Sequence, residues 1–135
     1  GDLSSWDVSG VDNMLIMFYY ASSFSSDLSR WDVSNVESMQ SIFNSALSFE
    51  SDLSRWDVSS ATNMNSMFFN APSFESDLSS WNVSSVDIMH YTFKGASSFN
   101  SNLSSWDVDQ VTICTGFNVG AGIIDLPDFT NCSIS

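Results

Sequence analysis

A chain of 135 residues with 43% hydrophobic and 14% aromatic content fits one domain with a continuous core, which excludes a disordered serine-rich segment. The formal net charge of −13, from 16 acidic against 3 basic residues, would repel phosphate backbones and anionic membrane surfaces, so nucleic acid is excluded as a partner. No apolar run approaches the roughly 18 residues of a membrane-spanning helix, and the first residues carry no basic and apolar signal region, so no membrane insertion is expected.

From Asp2 onward the sequence repeats itself. Trp6, Trp31, Trp56, Trp81 and Trp106 are each 25 residues apart with no insertion. That period belongs to arrays whose units are too small to bury their own apolar faces and must stack on their neighbours. The pattern opens at Asp2 without a polar cap, so the chain is expected to be part of a longer repeat array, with Leu3, Trp6 and Val8 at an open edge. Leu3, Leu28, Leu53, Leu78 and Leu103 form one column at the repeat period, and Phe18, Phe43, Phe68 and Phe93 another. Such columns predict a core built of ladders of like side chains.

Within a repeat the spacing changes character. Leu28, Trp31 and Val33 follow an LxxLxL-like pattern ending in period-two alternation, which suits a very short strand. Val36, Met39, Ile42, Phe43 and Ala46 then recur at three and four residues, the stripe of a helix. Ser9 with Asp12, Ser34 with Glu37, and Ser84 with Asp87 read as capping boxes at the start of that helix. The spacing therefore predicts an α/β fold, a right-handed solenoid of five 25-residue repeats with one short parallel strand and one short helix in each. The alternative is an all-β solenoid, with two or more strands per repeat and no helix between Val11 and Ala21. Residues 1–115 are read as the array. The pattern decays after Cys114, and Pro127 discourages another regular helix or central strand, so residues 116–135 are read as a C-terminal cap.

The motif DLSSWDVSGVDNMLIMFYYASSF, from Asp2 to Phe24, resembles the bacterial surface-protein repeat first noticed in mycoplasma and Listeria lipoproteins. It is similar, more distantly, to BspA-like leucine-rich repeats. The resemblance covers residues 2 to about 115, with Asn82, Asn102 and Thr92 as departures from the pattern. It implies a leucine-rich-repeat-like solenoid on a cell-surface or secreted protein, often with adhesion roles, and no enzymatic activity, catalytic residues or cofactor. Cys114 and Cys132, 18 residues apart, are a candidate disulfide across the cap, the alternative being Cys114 as a small core residue in a methionine column. The oxidising compartment implied by the resemblance favours the bond.

The candidate interaction face is acidic. Asp7, Asp32, Asp57, Asn82 and Asp107 lie between the inward tryptophan and valine of each repeat and are expected to point outward as a ladder of like charges. Arg30 and Arg55, two residues before Asp32 and Asp57, are candidates to relieve the repulsion, and backbone amides or weakly bound divalent cations are the other options. The favoured reading is structural: each aspartate holds a turn by accepting backbone amides, as does the leading column Asp2, Asp27, Asp52 and Asp77. The glycine-rich nonapeptide of calcium-binding β-rolls is absent.

His90 is the only histidine, which excludes a multi-histidine metal site, and serines without a base are not nucleophiles. Asn82, Asn102 and Asn131 begin Asn-x-Ser sequons, which are glycosylation acceptors only in a eukaryotic secretory pathway. Two functions from different classes follow. The first is a non-catalytic surface-exposed or secreted module mediating interaction or adhesion with a protein or glycan. The second is a structural spacer or envelope component with no specific ligand. Exposed aromatic side chains on the sheet face favour the first, and a uniform face of serine and aspartate, as the equivalents of Ser4, Ser5 and Asp7 suggest, the second.

Overall fold

In the computed structural model, which describes residues 2–135, each repeat forms one coil. Coil 1 spans residues 2–26, coil 2 27–51, coil 3 52–76, coil 4 77–101 and coil 5 102–122, and residues 123–135 fold over the end of coil 5. The coils lie in parallel register, with isolated bridges joining Asn13 to Ser38, Ser38 to Asn63, Asn63 to Ile88 and Ile88 to Ile113.

This arrangement overturns the α/β expectation. Among the described residues there is no helix, including between Val11 and Ala21, and no strand beyond the five isolated bridge residues. The chain is mostly turns and loops. Neither a leucine-rich-repeat-like solenoid with a strand and a helix in each repeat nor the all-β alternative describes it.

The reason lies in where the backbone N–H groups go. A helix sends each N–H four residues back along its own segment. Here the N–H groups of Met14, Ile16, Phe18 and Tyr20 leave coil 1 and donate to the carbonyls of Ser38, Gln40, Ile42 and Asn44 at 2.9–3.1 Å. Those of Met17, Tyr19 and Ala21 turn back only three residues, to Met14, Ile16 and Phe18. Alternation of this kind needs two left-handed residues per coil: Ile16 and Tyr20, Ser41 and Ser45, Ser66 and Asn70, Tyr91 and Gly95, and Gly116 and Gly120 all have φ between 53° and 79°. Each occupies the third position of a turn, where a positive φ is the mark of type II.

The same turns account for the helix-like spacing. Leu28 and Trp31, Val33 and Val36, Met39 and Ile42, Phe43 and Ala46, and Ala46 and Phe49 are first and fourth residues of hydrogen-bonded turns, and all are buried. A turn of this kind brings residues i and i+3 close together, and here both point into the core, as they would on one face of a helix. The serine–acid pairs consequently cap no helix. The N–H of Glu37 instead donates to the carbonyl of Asp12 in the coil before, at 2.8 Å.

Inside the stack the coils touch through like residues. Phe18, Phe43, Phe68 and Phe93 stack with centroid spacings of 5.7, 5.6 and 5.4 Å, beside the parallel column Phe24, Phe49, Phe74 and Phe99. Each buried indole N–H is satisfied by a main-chain carbonyl of the preceding coil: Trp31 donates to Leu3, Trp56 to Leu28, Trp81 to Leu53 and Trp106 to Leu78, each at 2.9 Å. Those four tryptophans are 4% exposed, whereas Trp6, on the outer side of coil 1, is 54% exposed.

Coil 5 closes differently. Asn118 stands where the other coils have phenylalanine, and Phe117 is turned edge-on against Phe93, Trp106 and Phe129. The tail is held by a disulfide between Cys114 and Cys132, and by the N–H of Gly116 donating to the carbonyl of Ile134 at 2.9 Å.

Candidate interaction faces

Both aspartate columns are brackets that close turns. Oδ1 of Asp7, Asp32 and Asp57 accepts the N–H of Ser9, Ser34 and Ser59 at 3.0–3.1 Å and the hydroxyl of the same serine at 2.6 Å. Asn82 makes the same pair of bonds with Ser84, while Asp107 accepts the N–H of Asp109. Asp2, Asp27, Asp52 and Asp77 accept the backbone N–H of Ser4, Ser29, Ser54 and Ser79 at 2.9–3.0 Å.

The leading column also ties coil to coil. The hydroxyl of Ser76 accepts the N–H of Leu53 at 2.9 Å and donates to Asp52 at 3.1 Å, and Ser101 does the same for Leu78 and Asp77. This serine column, Ser26, Ser51, Ser76 and Ser101, went unnoticed in the sequence although it recurs at the full period. At the end of the stack the carbonyl of Asp125 takes its place on Leu103.

These bonds set the protonation of the carboxylates. The hydroxyl and then the amide of Ser9, Ser34 and Ser59 hold Asp7, Asp32 and Asp57 below their ordinary value. For Asp2, Asp27, Asp52 and Asp77 the backbone amide of the bracketed serine is the larger cause, and again the direction is down. Repulsion of Asp32 by Asp7, and of Asp57 by Asp32, acts the other way and is outweighed. Arg30 and Arg55 act on the leading column, lowering Asp27 and Asp52, and are not among the groups that lower Asp32 and Asp57. No cluster of three or more histidine, cysteine or acidic residues able to hold a metal ion occurs among the described residues.

A pH dependence follows with a definite sign. Carboxylates whose folded pKa is depressed contribute stability above their unfolded value, about 3.9 for aspartate, and lose it as pH falls through the folded values. The melting temperature is therefore expected to fall steeply below about pH 4. Asp32→Asn combined with Asp57→Asn should make that fall shallower, because Asn82 already forms the bracket without a charge. Millimolar calcium should leave melting at neutral pH unmoved. A calcium-dependent rise that the double variant abolishes would make the ladder a cation surface instead.

The hydrogen-bonded ladder presents a second face, on the segment that spacing alone assigns to the outside of a helix. Tyr19 and Tyr20 are exposed on coil 1, packed edge to face at 4.4 Å. Farther along, Phe69 of coil 3 lies 6.1 Å from Tyr91 of coil 4. The Lys94 ammonium sits 4.6 Å from the Tyr91 ring centroid and 5.7 Å from that of Phe69, at cation–π distance. His90 rests against Tyr91 at 3.6 Å, and its buried Nδ1 has no hydrogen-bond partner. Gly116 lets Tyr91 lie flat: a Cβ there would come 2.5 Å from two of its ring carbons. Of the sequon residues, Asn82 and Asn102 are exposed but spend their side-chain oxygens on Ser84 and Ser104, and Asn131 donates to the carbonyl of Asp109.

No helix among the described residues is long and apolar enough to cross a membrane. No curated protein and no solved structure matches the chain. The family described as "Mycoplasma protein of unknown function, DUF285" matches residues 1–106 and again, overlapping, residues 53–121. These matches support the mycoplasma side of the resemblance and not the side of the BspA-like leucine-rich repeats. With most of its length matched, the chain belongs to this mycoplasma family of repeat proteins.

Proposed function

We propose that the chain is a non-catalytic interaction module of a cell-surface or secreted protein, part of a longer repeat array, that engages a protein or glycan through its ladder face. The observation that carries this reading is the set of aromatic side chains there: Tyr19 and Tyr20 exposed on coil 1, and Phe69 and Tyr91 half-buried on coils 3 and 4 with Lys94 at cation–π distance from both. Tyrosine offers large rigid contact area with a polar tip, and it is enriched where proteins bind. The aspartate columns contribute little to this reading, because their oxygens are engaged in turn brackets. Their uniformity favours the second reading, a structural spacer or envelope component without a specific ligand.

A screen of the chain against protein and glycan arrays separates the two. Under the interaction reading at least one array component binds, and Tyr20→Ser with Tyr91→Ser weakens it at least about tenfold, the scale of an interface hot spot. Serine is chosen because Ser45 and Ser41 hold the equivalent left-handed positions in coil 2, so the fold tolerates it. Binding that survives the double substitution overturns the aromatic residues as the contact, and no binding at all favours the spacer.

A further inference from the structure

All 16 acidic residues lie outside one segment of the repeat. Residues 14–20, 39–45, 64–70, 89–95 and 114–120, which carry the hydrogen-bonded ladder, hold no aspartate or glutamate in any coil. The same segments hold Lys94, one of the 3 basic residues, and His90, the only histidine. In a chain of net charge −13, the ladder is therefore where an anionic group is least opposed.

On coils 3 to 5 the ladder is organised around Tyr91. It holds φ 57° at a position that Ser41, Ser66 and Gly116 fill in other coils, so the fold does not require a large ring there. Room for the ring comes from Gly116, where a Cβ would come 2.5 Å from two of its carbons. The Lys94 ammonium is held at cation–π distance from Tyr91 and Phe69, 4.6 and 5.7 Å from their centroids. His90 lies against the same Tyr91 ring at 3.6 Å, with its Nδ1 buried and unpartnered. A buried N–H without an acceptor is costly, so in the neutral imidazole Nδ1 is the bare nitrogen and Nε2 carries the proton. The cluster thus sets donors beside half-buried rings, and its complement is a negatively charged acceptor joined to an apolar face.

Resting on the interaction reading above, we infer that the ladder face of coils 3 to 5 binds a glycan ending in a single carboxylate-bearing sugar. The carboxylate takes the Lys94 ammonium, with Nε2 of His90 as the second donor, and the C–H face of the sugar lies against Tyr91 and Phe69. Size and charge argue against other occupants. A cluster of four side chains suits one sugar, not the roughly 800 Å² per partner of a stable protein interface. A polyanion, or a protein acidic enough to seek Lys94, would be repelled by the net charge of −13. One carboxylate gains the local attraction, while charges beyond about 10 Å are largely screened.

Amide shifts of the full chain, titrated with 3′-sialyllactose and with methyl glucuronide, test this. Lactose and methyl glucoside are the uncharged counterparts, and heparin is the polyanion. At least one acidic sugar shifts Lys94, Gly95 and Gly116 and binds about tenfold more tightly than its counterpart, the effect of one charge-assisted hydrogen bond. The tighter of the two acids identifies the sugar. Lys94→Met, which keeps the apolar stem, removes that difference without moving the melting temperature. Tyr91→Ser, the residue of Ser41 and Ser66 in other coils, removes binding of charged and uncharged sugars alike. Acidic sugars that bind no better than their counterparts overturn the inference. So do shifts confined to Tyr19 and Tyr20, tighter binding of heparin, or a difference that survives Lys94→Met. No shift with any of these sugars overturns it too, whereas the wider interaction reading falls only if the protein and glycan arrays are also empty.

Discussion

Trp56→Ala is expected to lower stability by about 3–5 kcal/mol in a urea titration, the range for deleting a large buried aromatic. Trp56 is 4% exposed, lies tilted beside Phe43 at 6.0 Å and donates its indole N–H to the carbonyl of Leu28 in the neighbouring coil. Removing it opens a cavity at a joint between two coils, in an array where each unit is stabilised only by its neighbours. The carbonyl of Leu28 keeps the N–H of Trp31, so it is not stranded and the loss is one of packing more than of polarity. Trp56→Phe separates the two contributions: it retains most of the packing and forfeits the hydrogen bond, at about 1 kcal/mol. Trp6→Ala, on the open edge, is expected to cost less than about 1 kcal/mol, as surface substitutions do. A loss as small for Trp56 as for Trp6 would mean that the tryptophan column does not join the coils.

The repeat period was legible because it is written in residue identity, and the inward columns were legible because burial tracks that identity. The turn brackets of aspartate were legible for a related reason: a carboxylate two residues before a serine has a local job that needs no tertiary context. The helix was misread because Val36, Met39, Ile42 and Ala46 satisfy a chain of turns as well as they satisfy a helix. What distinguishes the two is the left-handed pair in each coil, and Ile16, Tyr20 and Tyr91 are residue types that conceal it. Read as columns, Ser41, Ser66 and Gly116, with Ser45, Asn70, Gly95 and Gly120, do carry the signal, since glycine and asparagine concentrate where φ is positive. The aromatic ladder face was hidden by the same error, since it sits on the segment assigned to a helix. The indole bonds to leucine carbonyls were beyond the sequence, because they depend on how one coil is placed over the next.

Opening the bond between Cys114 and Cys132 is expected to cost about 3 kcal/mol, from the chain entropy of an 18-residue loop, with the loss concentrated at one end of the molecule. The tail is otherwise held by buried Ile123 and Pro127, by Asn131 donating to the carbonyl of Asp109, and by a few further contacts. Phe129 meets Phe117 at 5.1 Å, Ile134 accepts from Gly116 and Asp125 from Leu103, and Phe129, Cys132 and Ile134 are only partly buried. Released, residues 123–135 uncover Phe117 and Cys114, which are fully buried in the closed form. Coils 2 to 4 keep both neighbours and should be unaffected. Cys132→Ser is the clean variant, since it leaves Cys114 in its place as a small apolar residue in the methionine column. It should lower the melting temperature, speed proteolysis within residues 123–135, and raise amide exchange at Gly116 and Leu103 while leaving exchange at Met64 and Phe68 unchanged. If exchange rises equally in coil 3, the coils unfold as one unit and the disulfide guards the whole stack rather than its end. If neither melting nor cleavage changes, the tail is held by its packing alone and the bond is incidental to stability.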